Sequence, residues 1–205
     1  MFRFRTLVLV PLVIVAMSRV AIAAPILFTA TMNSAQENNP LNTSTATGFA
    51  TFELNDAQTA LTFSATVFGL DFTGLQTPNT ALDNLTNAHI HAPGAPGSNA
   101  GVVWGFIGTP FNDNPPTNNV VVTPFANQVG GMVTGTWDAP EGQNTTLAAQ
   151  LPSILGGLSY INFHTTQFGG GEIRGQITQV PEPATLALLG IGVACFGLRR
   201  KTAGH

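Results

Sequence analysis

Two histidines, His89 and His91, stand two residues apart in the run Ala88-His89-Ile90-His91. Side chains alternate across a β-strand, so on a strand both imidazoles project to one face. A neutral pair at that spacing can chelate a single metal ion. A third histidine, His164, lies in the stretch Tyr160-Ile161-Asn162-Phe163-His164-Thr165. If the two stretches are neighbouring strands, three imidazoles converge, a nitrogen set that suits zinc or copper. The plainer expectation is that these rings donate hydrogen bonds to backbone carbonyls and fix a Gly-rich turn, with no cofactor at all. Asn162 shares a strand face with His164 and either orients its ring or satisfies backbone groups. Glu172 and Arg174 also share a strand face, which predicts an ion pair. Glu172, Arg174 and Asn162 then form a structural hub.

No other group reads as catalytic, and the expectation is a non-enzymatic protein with no catalytic residue. There is no Gly-x-Ser-x-Gly elbow and no carboxylate pair placed for acid–base work. Ser34, Ser64 and Ser98 have no evident activating base. Trp104 and Trp137 sit in apolar strand runs, so they are expected in the core rather than on a sugar-stacking platform.

These residues belong to a mature region of about 24–179, the size of one domain. Six of the seven basic residues lie in the two ends of the chain, and only Arg174 remains between them. Nine of the ten acidic residues remain, and there is no lysine, so the region carries a net charge of −8. Such a domain repels a phosphate backbone, which excludes nucleic acid as a partner. The single cysteine, Cys195, lies in the C-terminal apolar run. The mature domain therefore has no disulfide and no thiol nucleophile, and packing must hold it together.

The elements that would position the histidines read as strands. Thr, Val, Ile and Phe recur in short runs punctuated by Gly, Pro, Asn and Asp. Leu61–Val67 alternates apolar and polar residues and is expected to pair with Phe49–Leu54 through a turn at 55–58. Further expected strands are Ile26–Met32, Ala88–His91, Val102–Ile107, Val120–Thr123, Met132–Trp137, Tyr160–Thr165 and Glu172–Ile177. About nine strands with turns between them predict an all-β antiparallel sandwich or barrel. Leu147–Leu155 is the one helix candidate, shortened by Pro152.

Both ends look like addresses. Arg3 and Arg5, the apolar run Leu7–Met17 and the small residues Ala21-Ile22-Ala23 read as a signal peptide over 1–23, cut by signal peptidase. At the other end, Pro181-Glu182-Pro183 precedes an apolar run, Ala184–Leu198, and the basic residues Arg199, Arg200 and Lys201. That run spans about 22 Å as a helix, short of a hydrocarbon core of about 30 Å unless the bilayer thins. The basic cluster favours the cytoplasmic side and places the preceding domain outside. Residues 180–205 resemble the PEP-CTERM sorting signal of bacterial exported proteins. The resemblance implies a C-terminal membrane helix and processing by an exosortase, after which the product is released or re-anchored at the cell surface.

The interior carries a second resemblance. Ala88-His89-Ile90-His91-Ala92-Pro93-Gly94, Asn162-Phe163-His164-Thr165 and Gly171-Glu172-Ile173-Arg174-Gly175-Gln176 together are similar to the CHRD domain, first defined in chordin. The similarity covers most of 26–178. It implies an immunoglobulin-like β-sandwich in an extracellular setting, with no settled activity. The His89-x-His91 pair and Arg174 are also distantly similar to copper-zinc superoxide dismutase, but the bridging histidines, zinc loop and disulfide of that family are absent. The resulting expectation is a surface or matrix module with an exopolysaccharide or another surface protein as partner. The alternative is a zinc or copper site at His89, His91 and His164.

Overall fold

The structure is a computed structural model that describes residues 24–113 and 119–181. The expected signal peptide, the expected C-terminal membrane helix and all of the sorting tail after Pro181 lie outside the described residues. No helix among the described residues is long and apolar enough to cross a membrane.

Ten strands follow in chain order: β1 (Ile26–Asn33), β2 (Thr47–Leu54), β3 (Ala60–Phe68), β4 (Leu85–His91), β5 (Val102–Ile107), β6 (Val121–Pro124), β7 (Gly130–Asp138), β8 (Tyr160–Thr165), β9 (Ile173–Gln176) and β10 (Thr178–Gln179). The one α-helix among the described residues, α1 (Leu147–Leu155), starts where the Thr146 side chain accepts a hydrogen bond from the backbone N–H of Ala149. That cap satisfies one of the amides a helix start leaves unpaired. The expected strand 172–177 is confined to β9, and the two residues of β10 lie beyond its expected end. The backbone N–H of Ile177 donates to the Ser159 carbonyl, in register with the β8–β9 pairing.

All strand pairs are antiparallel, in the order β5-β4-β8-β9-β1-β2-β3-β7-β6, with β10 also on β1. The two layers of the expected sandwich are thus halves of one curled sheet. They join through the single β9–β1 pair, Arg174 opposite Asn33. The halves face each other across the core: Phe63 of β3 meets Trp104 and Phe106 of β5 at ring-centroid distances of 5.7 and 4.8 Å. Trp104 in turn stacks on Trp137 of β7 at 5.9 Å. Both tryptophans are fully buried, so they are core residues and offer no sugar platform.

The two halves treat their outer faces differently. On β2, buried and exposed residues alternate strictly, the pattern of a sheet with one dry and one wet face. On β8, all six positions are buried. Its outer face is covered by the segments after β1, β4 and β8. Asn42 bonds to the carbonyls of Gly171 and Glu172, and Gln176 bonds to that of Gly94. A polar layer is thereby sealed outside the apolar core.

One buried acid lies away from that layer. Glu141 follows β7, where its carboxylate accepts the Asp138 N–H. Burial pushes its pKa up to about 7, with the charges of Asp113 and Asp138 adding to the rise, against the hydrogen bond from the Asp138 backbone. A raised carboxylate pKa means the unfolded chain gives up its proton first, so stability falls as pH rises between the two pKa values. We predict a Tm that declines from about pH 4.5 to 7 and a flatter profile for Glu141→Gln, read by thermal melts across that range. An unchanged profile in the variant would refute the assignment to Glu141.

Candidate metal centre

The sealed polar layer contains every histidine of the described residues. β4 and β8 are neighbours, with His91 opposite Tyr160, His89 opposite Asn162 and Asn87 opposite His164. Strand alternation sends Ile90 into the core and turns His89 and His91 outward. The same alternation turns Tyr160, Asn162 and His164 outward from β8. The cover leaves the three histidines only 4, 7 and 8% exposed in chain order.

The rings converge. Nδ1 of His89 lies 3.2 Å from Nε2 of His164. Each of the three histidines offers a nitrogen within 4.8 Å of the others. Ring centroids are 5.0 Å apart for His89 and His164, 5.7 Å for His89 and His91, and 6.1 Å for His91 and His164. Zinc–nitrogen bonds of about 2.0–2.1 Å in a tetrahedral shell separate neighbouring ligand nitrogens by about 3.3 Å. The 3.2 Å contact matches such an edge.

Backbone carbonyls set two of the tautomers. Nδ1 of His91 is 3.0 Å from the Ala100 oxygen, and Nδ1 of His164 is 3.0 Å from the Gly169 oxygen. A carbonyl only accepts, so both rings carry their proton on Nδ1 and present a lone pair on Nε2. Nε2 of His91 is buried with no partner. Since His164 Nε2 is a lone pair, His89 Nδ1 must donate to it when no ion is present. Nε2 of His89 is then left buried and unpaired. With an ion on Nδ1, the proton of His89 would belong on Nε2, and the Thr109 backbone also bears on this ring.

The electrostatics keep the rings neutral. Burial lowers the pKa of His89 to about 3, with the neighbouring charges of His164 and His91 adding. Burial likewise holds His91 down at about 4 despite its bond to Ala100. His164 is also lowered by burial, against its bond to Gly169, and the Arg174 cation pushes both His91 and His164 the same way. Neutral imidazoles are the metal-binding form, so protons do not compete at physiological pH.

The other expected contacts are rearranged. Arg174 does not pair with Glu172. Its guanidinium is 2.9 Å from the Glu37 carboxylate, and it also donates to Ser98 O and Asn99 Oδ1. Glu172 instead accepts hydroxyl hydrogen bonds from Ser44 and Thr165. Asn162 bonds to no imidazole; its side chain bears on Glu37. The physical reason is the covering segment after β1, which brings Glu37 to the outer face of β9. Sequence reasoning also missed Tyr160. It is the one tyrosine of the chain and shares the Tyr160-x-Asn162-x-His164 face, a signal that was available.

The CHRD domain family model matches residues 28–177, and the PEP-CTERM protein-sorting motif matches residues 179–201. No curated protein and no solved structure matches the chain.

Proposed function

We propose, because this chain belongs to the CHRD domain family and carries a PEP-CTERM sorting motif, that it is an exported surface domain holding one zinc or copper ion through His89, His91 and His164. Export and exosortase processing follow from the sorting motif. The metal reading rests on one observation, the convergence of three buried neutral imidazoles with nitrogens within 4.8 Å of one another. His91 and His164 would bind through Nε2 and His89 through Nδ1. Three protein ligands leave a position for water or another small ligand. The ion would tie β4 to β8 in a domain that has no cysteine to cross-link it. Among the described residues no carboxylate or thiol joins the histidine cluster. The domain's partner in the envelope would be an exopolysaccharide or another surface protein.

The test is elemental mass spectrometry on the purified mature domain beside a His89→Ala/His91→Ala variant. We expect about one equivalent of zinc or copper in the wild type and none in the variant. A wild type that takes up no metal on titration would overturn the proposal and leave the rings as hydrogen-bonding residues.

A further inference from the structure

We infer that Tyr160 is a positioning residue for this centre, fixing both the plane and the tautomer of His91. Its affinity arm rests on the metal reading above; its tautomer arm does not. The ring of Tyr160 stacks on the imidazole of His91 with centroids 4.7 Å apart and planes 5° from parallel. The guanidinium carbon of Arg174 lies 4.0 Å from the same ring centroid. His91 is on β4 and Arg174 on β9, the two neighbours of β8, so the tyrosine is held between an imidazole and a cation. A cation over the ring face is attracted by the ring quadrupole, and here Glu37 and two loop oxygens hold the cation in place.

The hydroxyl acts on His91 by a second route. Tyr160 Oη accepts the backbone N–H of Ala100 at 3.1 Å. The carbonyl of the same residue accepts Nδ1–H of His91 at 3.0 Å. The tyrosine therefore anchors the residue whose carbonyl chooses the protonated nitrogen of His91 and leaves Nε2 aimed at the cluster. Outer partners that orient a ligating histidine are commonly worth 10–100-fold in metal affinity. Tyr160 reaches His91 directly through its ring and indirectly through Ala100.

Two variants separate the routes. Tyr160→Phe keeps the stack and loses the anchor; Tyr160→Leu loses both. In the metal-free protein, long-range proton–nitrogen NMR should show His91 as a single Nδ1–H tautomer in the wild type and as a mixture in Tyr160→Phe. Zinc titration of Tyr160→Phe should keep the wild-type stoichiometry with an affinity about 10-fold lower, and Tyr160→Leu should approach 100-fold with an altered cobalt absorption spectrum. Wild-type affinity together with a pure Nδ1–H His91 in Tyr160→Phe would overturn the inference. If Tyr160→Leu does not fold, Tyr160→Phe decides. If the wild type takes up neither zinc nor copper, the metal reading fails, and the tautomer result alone decides the role of Tyr160.

Discussion

Arg174→Met should lower the stability of the domain by about 3–5 kcal/mol, the cost of breaking a buried ion pair from one side. The side chains of Arg174 and Glu37 are only 3 and 2% exposed. Two charges sealed this deeply gain from each other roughly what they lose in leaving water. Removing the cation strands the Glu37 carboxylate, whose Oε1 already has no partner. Burial raises the pKa of Glu37 even with Arg174 beside it. The stranded acid would take up a proton, so the variant should recover part of its stability on acidification. A Glu37→Gln/Arg174→Met double variant leaves no charge behind and should lose less than the single one. Urea denaturation of the three proteins reads this directly. A loss below about 1 kcal/mol in Arg174→Met would place the pair in effective contact with solvent.

Trp104→Ala should cost about 3–5 kcal/mol, the range for deleting a large buried aromatic. The indole is fully buried and stacks on Trp137 with planes 8° apart. Its neighbours Phe63 and Phe106 come from both halves of the sheet. No single rotamer change could refill the space, because the surrounding rings are held by strands on opposite sides. The equilibrium denaturation midpoint should fall while the denaturant slope stays the same. A loss under about 2 kcal/mol would mean the two halves collapse onto the gap and that the core is less tightly specified than its ring geometry indicates.

The local features were readable from residue order. Strands Val102–Ile107 and Tyr160–Thr165 and helix Leu147–Leu155 have the bounds their patterns predict. The alternation of β2 and β3 also identifies which face is dry. His89 and His91 had to share a face once their segment was extended. What the alternation did not reveal is the burial of the outer face of β8. The run Tyr160–Thr165 alternates polar and apolar residues as a strand with one wet face would, so the pattern carries no sign of the segments that cover its outer face.

The Glu172–Arg174 expectation failed for a related reason. Spacing along a strand says which side chains share a face, but it does not say what else arrives there. Glu37 is 137 residues from Arg174 in sequence and reaches it only because β1 lies beside β9.

The sequence by itself determined the extended segments, the sorting motif near the C-terminus, the acidic charge balance and the same-face histidine pair. These depend on short-range rules: two-residue periodicity, turn residues, and composition summed over a segment. The tertiary structure alone decided that β4 and β8 are neighbours, that His164 closes on the pair, and that Glu37 and Tyr160 enter the same layer. Strand pairing and loop coverage are non-local, because the free energy of each contact depends on surfaces that folding brings together from distant parts of the chain.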